Sequence, residues 1–119
     1  MDDIKKTLSL IAKTIDNHKA EDLVILDISD FLPITDYFVI CTGVTQRHVQ
    51  GIAKELEFIL KKNTDLEVRG KVGYNEGKWI ILDYDEVVIH IFLDEVRKFY
   101  DLEELWNDVP RVKLEKETN

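Results

Sequence analysis

Asp83 and Asp85, one residue apart, are the pair in this chain whose type and spacing best suit chemistry. Side chains two apart on a strand point to one side, and two carboxylates so placed can hold a divalent ion for phosphoryl or nucleotidyl transfer. Their setting argues the other way. The pair falls in Asp83-Tyr84-Asp85-Glu86, a polar break between two apolar runs where a hairpin turn is predicted, and turns recruit aspartate for backbone reasons. No third acidic strand residue, glycine-rich phosphate loop or P-loop lysine accompanies it. His18, His48 and His90 are spread over a helix end, a helix start and a strand, which offers no zinc-ligand spacing. Cys41 with His48 can be drawn as a nucleophile and its base, but a cysteine inside Tyr37-Phe38-Val39-Ile40-Cys41 reads as inert core, because burial raises a thiol's pKa. Gly43 either opens a phosphate-binding turn or lets the backbone reverse, and a lone Thr-Gly favours the second use. Neither a metal nor a cofactor is expected.

Trp79, Tyr84, Tyr100 and Trp106 are few, but tryptophan and tyrosine anchor interfaces out of proportion to their frequency. Trp106 and Phe99 also suit the closing of a core at its end, and for Trp79 a surface anchor and a core plug are both open readings.

The elements that must position these residues follow from periodicity. Ile4, Leu8, Ile11 and Ile15 form one stripe of a helix over residues 2 to 17, which Asp2 or Asp3 can cap. Leu23–Leu26 and Tyr37–Thr42 are short apolar runs suited to strands buried on both faces, with Pro33 breaking the chain between them. After the Thr42-Gly43-Val44-Thr45 turn, Val49, Ile52, Ala53, Leu56, Ile59 and Leu60 recur at helical spacing. Val68–Val72 reads as a weak edge strand. Trp79–Phe92 is a hairpin, and with Tyr84 and Asp85 as its loop Trp79 faces His90. Trp79, Ile81, Val88, His90 and Phe92 then share one face, while Ile80, Leu82, Val87, Ile89 and Ile91 make a wholly aliphatic core face. The aromatic face, with Tyr84 and Tyr100 at its ends, is the expected partner-binding surface. Glu95–Tyr100 continues as a helical turn, and Asp101-Leu102-Glu103-Glu104 has the spacing of an acidic capping box. The sum is an α/β domain over residues 1 to 108, a mixed sheet of about five strands flanked by helices, followed by a polar tail over 109 to 119 that is expected to fray.

The single cysteine excludes an internal disulfide, and the first helix pattern, broken by Lys5, Lys6 and Lys13, resembles neither a signal peptide nor a membrane span. A cytoplasmic setting is expected, with no membrane partner. The net charge of −8 makes the chain a poor candidate for gripping RNA unaided, since that draws on lysine and arginine, and suits docking on a basic protein.

Taken together, Asp36–Gly43, Arg47–Gln50 with Ile52 and Ala53, Gly77–Tyr84, Val87–Phe92 and Phe99–Trp106 closely resemble the Iojap or ribosomal silencing factor family, in one order across residues 4 to 108. The resemblance implies a nucleotidyltransferase-like α/β fold without known transferase activity. It implies binding to the large ribosomal subunit through ribosomal protein fourteen at the intersubunit face, with little direct RNA contact. Translation would be damped, typically under nutrient limitation, because the small subunit can no longer join. A homodimer of the free protein is kept as an expectation, although the sequence itself does not show one. Family members often carry glycine where this chain has Asp85, which weakens any claim of Asp-x-Asp as a family site; aspartate tolerates left-handed backbone angles, so the turn survives. The alternative from another class is a metal-dependent nucleotidyltransferase or nucleotide-binding enzyme using Asp83 and Asp85.

Overall fold

The structure, a computed structural model, describes residues 3–33, 35–101, 104 and 107–114. The elements run α1 (Asp3–Asn17), β1 (Glu21–Asp27), β2 (Tyr37–Gly43), α2 (Gln46–Asn63), β3 (Gly70–Val72), β4 (Trp79–Asp83), β5 (Val87–Leu93) and α3 (Asp94–Tyr100). The five strands form one mixed sheet in the order β1-β2-β5-β4-β3, with only the β2–β5 pair parallel. This is the expected α/β architecture. The caps proposed for α1 through Asp2 and for the last segment through Leu102 and Glu103, and the core role of Trp106, lie outside the described residues.

Each face of the sheet has its own core, because strand alternation sends successive side chains to opposite sides. On one face Leu8, Ile11 and Ile15 of α1 and Val49, Ile52, Ala53, Leu56 and Leu60 of α2 pack against Val39, Cys41, Ile80, Leu82, Ile89 and Ile91. These are the stripes that helical spacing marks in the sequence. The start of α2 is fixed by Thr45, whose side chain accepts the His48 N–H at 3.0 Å. Gly43 is needed just before it for room, since a Cβ there would sit 2.7 Å from Val49 Cγ2. On the other face Leu26, Ile28, Ile40, Phe92 and Val109 form a smaller core, with Phe38, Trp79 and Val96 packed beside it.

Three expectations change. The two-residue hairpin loop sits one position later: Tyr84 N–H donates to Val87 O at 2.9 Å, Asp85 and Glu86 are the loop, and Asp85 takes φ 75°. Trp79 therefore pairs with Phe92 and Ile81 with His90. The slide is two positions along the partner strand, so the composition of both faces survives.

β1 is an edge strand, not one buried on both faces; Asp22 is left-handed and the register breaks between Glu21 and Val24. Its inner residues are buried, and its outer edge is covered by the C-terminal segment. Asp27 N–H donates to Pro110 O at 2.9 Å, Arg111 bridges Leu26, and Val112 N–H donates to Ile25 O at 2.8 Å. The segment through 114 is thus not frayed: an unpaired strand edge offers it backbone partners, and Val109, 6% exposed, anchors it in the smaller core.

Tyr84 lies on the helix side, 4% exposed, not at the end of the aromatic face. Alternation requires this, since Tyr84 shares parity with Ile80 and Leu82. Burial, and behind it Glu57 of α2, pushes its phenol up to about 12.

Candidate docking surface

The face opposite α1 and α2 brings Trp79, His90, Phe92 and Tyr100 together, four of the five residues singled out from sequence. Trp79 stacks on Phe92 at a centroid distance of 4.8 Å and leans on Tyr100 at 4.9 Å. Its position is set by the preceding turn, where Gly73 at φ 83° passes so close to Trp79 O that a Cβ could not fit. Phe92 is fully buried and His90 only 6% exposed, so they support the surface from beneath, while Trp79 is half-buried and Tyr100 is 56% exposed. Trp79 therefore closes the smaller core with one part of its ring system and leaves another part open to solvent. Sequence reading missed Phe38, which meets His90 edge-on at 4.9 Å, and the exposed Val72; Phe99, read as closing a core, is instead 80% exposed beside Tyr100, because α3 turns that side to solvent. Phe38 reaches this face only because β2 pairs in parallel with β5, placing Phe38 opposite Val88 and Val88 in turn opposite Asp83.

The Trp79 indole N–H donates to His90 Nδ1 at 3.1 Å, which fixes the imidazole as the Nε2–H tautomer. Nε2 is buried without a hydrogen-bond partner among the described residues. Burial lowers the His90 pKa from its ordinary 6.5 to about 4, so the ring is neutral at physiological pH. The unfolded chain takes up this proton near pH 6.5 and the folded chain only near 4, so stability rises with pH across that window and is lost as pH falls through it. We expect the loss to approach the order of 3 kcal/mol by pH 4, from about 1.36 kcal/mol for each unit of separation between the two pKa values. Urea midpoints from pH 4 to 7 check this. The His90→Gln variant should show a shallower slope over the same range, and identical slopes would remove His90 as the cause.

The catalytic alternatives lose their geometry. Asp83 Oδ1 accepts the Asp85 N–H at 2.8 Å, and the Asp85 carboxylate pairs with Arg69 at 2.9 Å, so both carboxylates are occupied in holding the turn. Among the described residues no cluster of three His, Cys, Asp or Glu side chains is placed to hold a metal. A groove of about 640 Å³ beside α1 is lined by Lys6, by Asp65 just past the C-terminal end of α2 and by Glu86 of the β4–β5 turn, and a helix C-terminus is the end that disfavours an anion. Cys41 is fully buried, its thiol pushed up to about 12 by burial. His48 cannot serve it as a base: Nδ1 accepts the Val44 N–H at 2.9 Å, so Nε2 carries the proton and donates to His18 O at 2.6 Å. We expect Asp83→Ala and Asp85→Ala each to leave partner affinity within about tenfold, since rim contacts are usually worth under about 1.4 kcal/mol. Magnesium-dependent nucleotide transfer abolished in both variants would reverse that conclusion.

No described helix is long and apolar enough to cross a membrane. Across residues 1–119 the chain matches the family described as "Ribosomal silencing factor during starvation", RsfS. The chain belongs to the RsfS family. Ribosomal silencing factor RsfS of Halalkalibacterium halodurans is 36% identical over 111 residues, which cover 93% of this chain and 94% of that one. The RsfS protein of Bacillus subtilis is 35% identical, with 93% of each chain covered. A crystal structure from Bacillus halodurans superposes with a TM-score of 0.81 at 34% identity, covering 92% of this chain and 99% of that chain.

Proposed function

We propose that this chain is a non-enzymatic ribosomal silencing factor acting in the cytoplasm. It binds the large ribosomal subunit through ribosomal protein fourteen, sterically prevents the small subunit from joining, and so represses translation. Family membership supports the association with the ribosome and the repression. The observation that carries the docking reading is the half-open aromatic face, with Trp79 and Tyr100 in contact on a side of the sheet that α1 and α2 do not cover. An aromatic surface already packed from below loses little side-chain freedom on binding, which is where interface hot spots concentrate. The net charge of −8 suits a basic protein partner rather than ribosomal RNA.

The test is sedimentation with separated subunits. The purified chain should travel with free large subunits and lower the yield of joined ribosomes when small subunits are added. Binding to small subunits alone, or to neither, would sink the reading.

A further inference from the structure

At one pole of the sheet the segment leading into β2 meets the β4–β5 turn, where the N–H groups of Asp36 and Tyr37 both donate to Glu86 O at 3.0 Å. A notch of about 350 Å³ opens there, lined by Pro33, Thr35, Asp36, Asp85 and Glu86. Asp85 is ion-paired with Arg69, whereas Asp36 and Glu86 make no ion pair among the described residues, the Lys6 ammonium across the groove beside α1 staying beyond pairing distance of Glu86. Backbone pairing sets Asp36 beside Glu86 on the rim of this notch, and the Tyr37 phenol next to them is raised by burial first and then by Asp27, Asp36 and Glu86. Carboxylates alone would mark only a solvated acidic rim. Thr35 adds an independent observation, because it is 6% exposed and its Oγ1 is buried with no hydrogen-bond partner among the described residues. A hydroxyl in that position is unfavourable unless a donor arrives.

The chemistry of the lining selects the occupant. A bare metal ion does not fit, since no three ligating side chains are placed for one among the described residues. Phosphates and nucleic acid are repelled by the field. A cation carrying several N–H donors in a plane matches two carboxylates and a hydroxyl better than the compact ammonium of lysine. The notch is also continuous with the docking surface, because Phe38 follows Asp36 by two residues and Val88 follows Glu86 by two, and these pair across β2 and β5.

We propose that this notch receives an arginine side chain of the docked protein partner, its guanidinium held between Asp36 and Glu86 with an N–H given to Thr35 Oγ1. The proposal rests on the docking reading above for the identity of the partner, and not for the existence of the site.

The full chain labelled with nitrogen-15 is titrated with acetyl-arginine amide, with the neutral isostere acetyl-citrulline amide and with acetyl-lysine amide. Arginine should produce saturable shifts at the amides of Thr35, Asp36 and Glu86, with citrulline at least about tenfold weaker because it lacks the charge-assisted bonds. The double variant Asp36→Asn, Glu86→Gln should weaken both arginine binding and large-subunit binding by about tenfold, the loss of roughly one charged contact. Equal binding of arginine and citrulline, tighter binding of lysine, or arginine binding unchanged in the double variant overturns the proposal. If the double variant holds large subunits as well as the parent does while Trp79→Ala releases them, the arginine contact falls and the docking reading stands. If the parent itself fails to bind large subunits, the docking reading falls, and the arginine titration alone decides the notch.

Discussion

Trp79→Ala is expected to weaken large-subunit binding by about thirty- to a thousandfold, the roughly 2 to 4 kcal/mol that a central indole contributes at an interface. The same substitution also loosens the fold. It removes a ring stacked on Phe92 and leaves His90 Nδ1 without its donor, so about 2 kcal/mol of stability should go with it, less than for a fully buried tryptophan. Tyr100→Ala separates the two effects, because Tyr100 is 56% exposed and touches Trp79 from the solvent side. Its melting temperature should stay close to the parent's while its affinity falls at least about tenfold. Full affinity in a folded Tyr100→Ala chain, together with full affinity in Trp79→Ala, would show that the partner docks elsewhere.

Arg97→Ala should cost about 3 kcal/mol and lower the melting temperature by about 10 °C. Arg97 is a charged residue of α3 only 7% exposed, and its Nη1 donates to Asp22 O at 2.8 Å and to Thr42 Oγ1 at 2.7 Å. Through it the last described helix is tied to the irregular start of β1 and the end of β2. Truncation strands a carbonyl and a hydroxyl that water does not reach easily, and the asymmetry of hydrogen-bond energetics makes that worse than never having had them. Lysine at this position should recover only part of the loss, since one ammonium cannot reproduce the planar set of donors. Urea unfolding measures it, and a midpoint shift worth less than about 0.5 kcal/mol would mean that the tether is redundant.

The sequence discloses what is periodic in it and hides what depends on pairing between distant segments. The stripes of α1 and α2 could be read because each helix buries one face. The two faces of the β4–β5 hairpin could be read because alternation survives a two-residue slide in register. Strand order could not. That β2 lies parallel to β5, and so delivers Phe38 to the aromatic face and Asp36 to the notch, follows from a crossover that leaves no local mark. The pairing of Pro110–Val112 with β1 is equally silent, as a polar tail and an edge-covering tail look alike in composition. Arg97 gives no warning either, being one cation among several in Asp94–Tyr100. Tyr84 is different: its parity was available, and counting from Ile80 places it with the core.

The parallel pair at the centre of the sheet also dictates when the protein can exist. Tyr37 must find Val87 and Gly43 must find Leu93, so β1 and β2 emerge from synthesis as a lone hairpin, which is marginal in water by itself. The strand that converts the hairpin into a sheet is made late, and the segment that seals the outer edge of β1 is made later still. The sheet therefore stays open at its centre until β5 has been made. The aromatic face, built on β4, β5 and α3, is assembled only once β5 has joined β2.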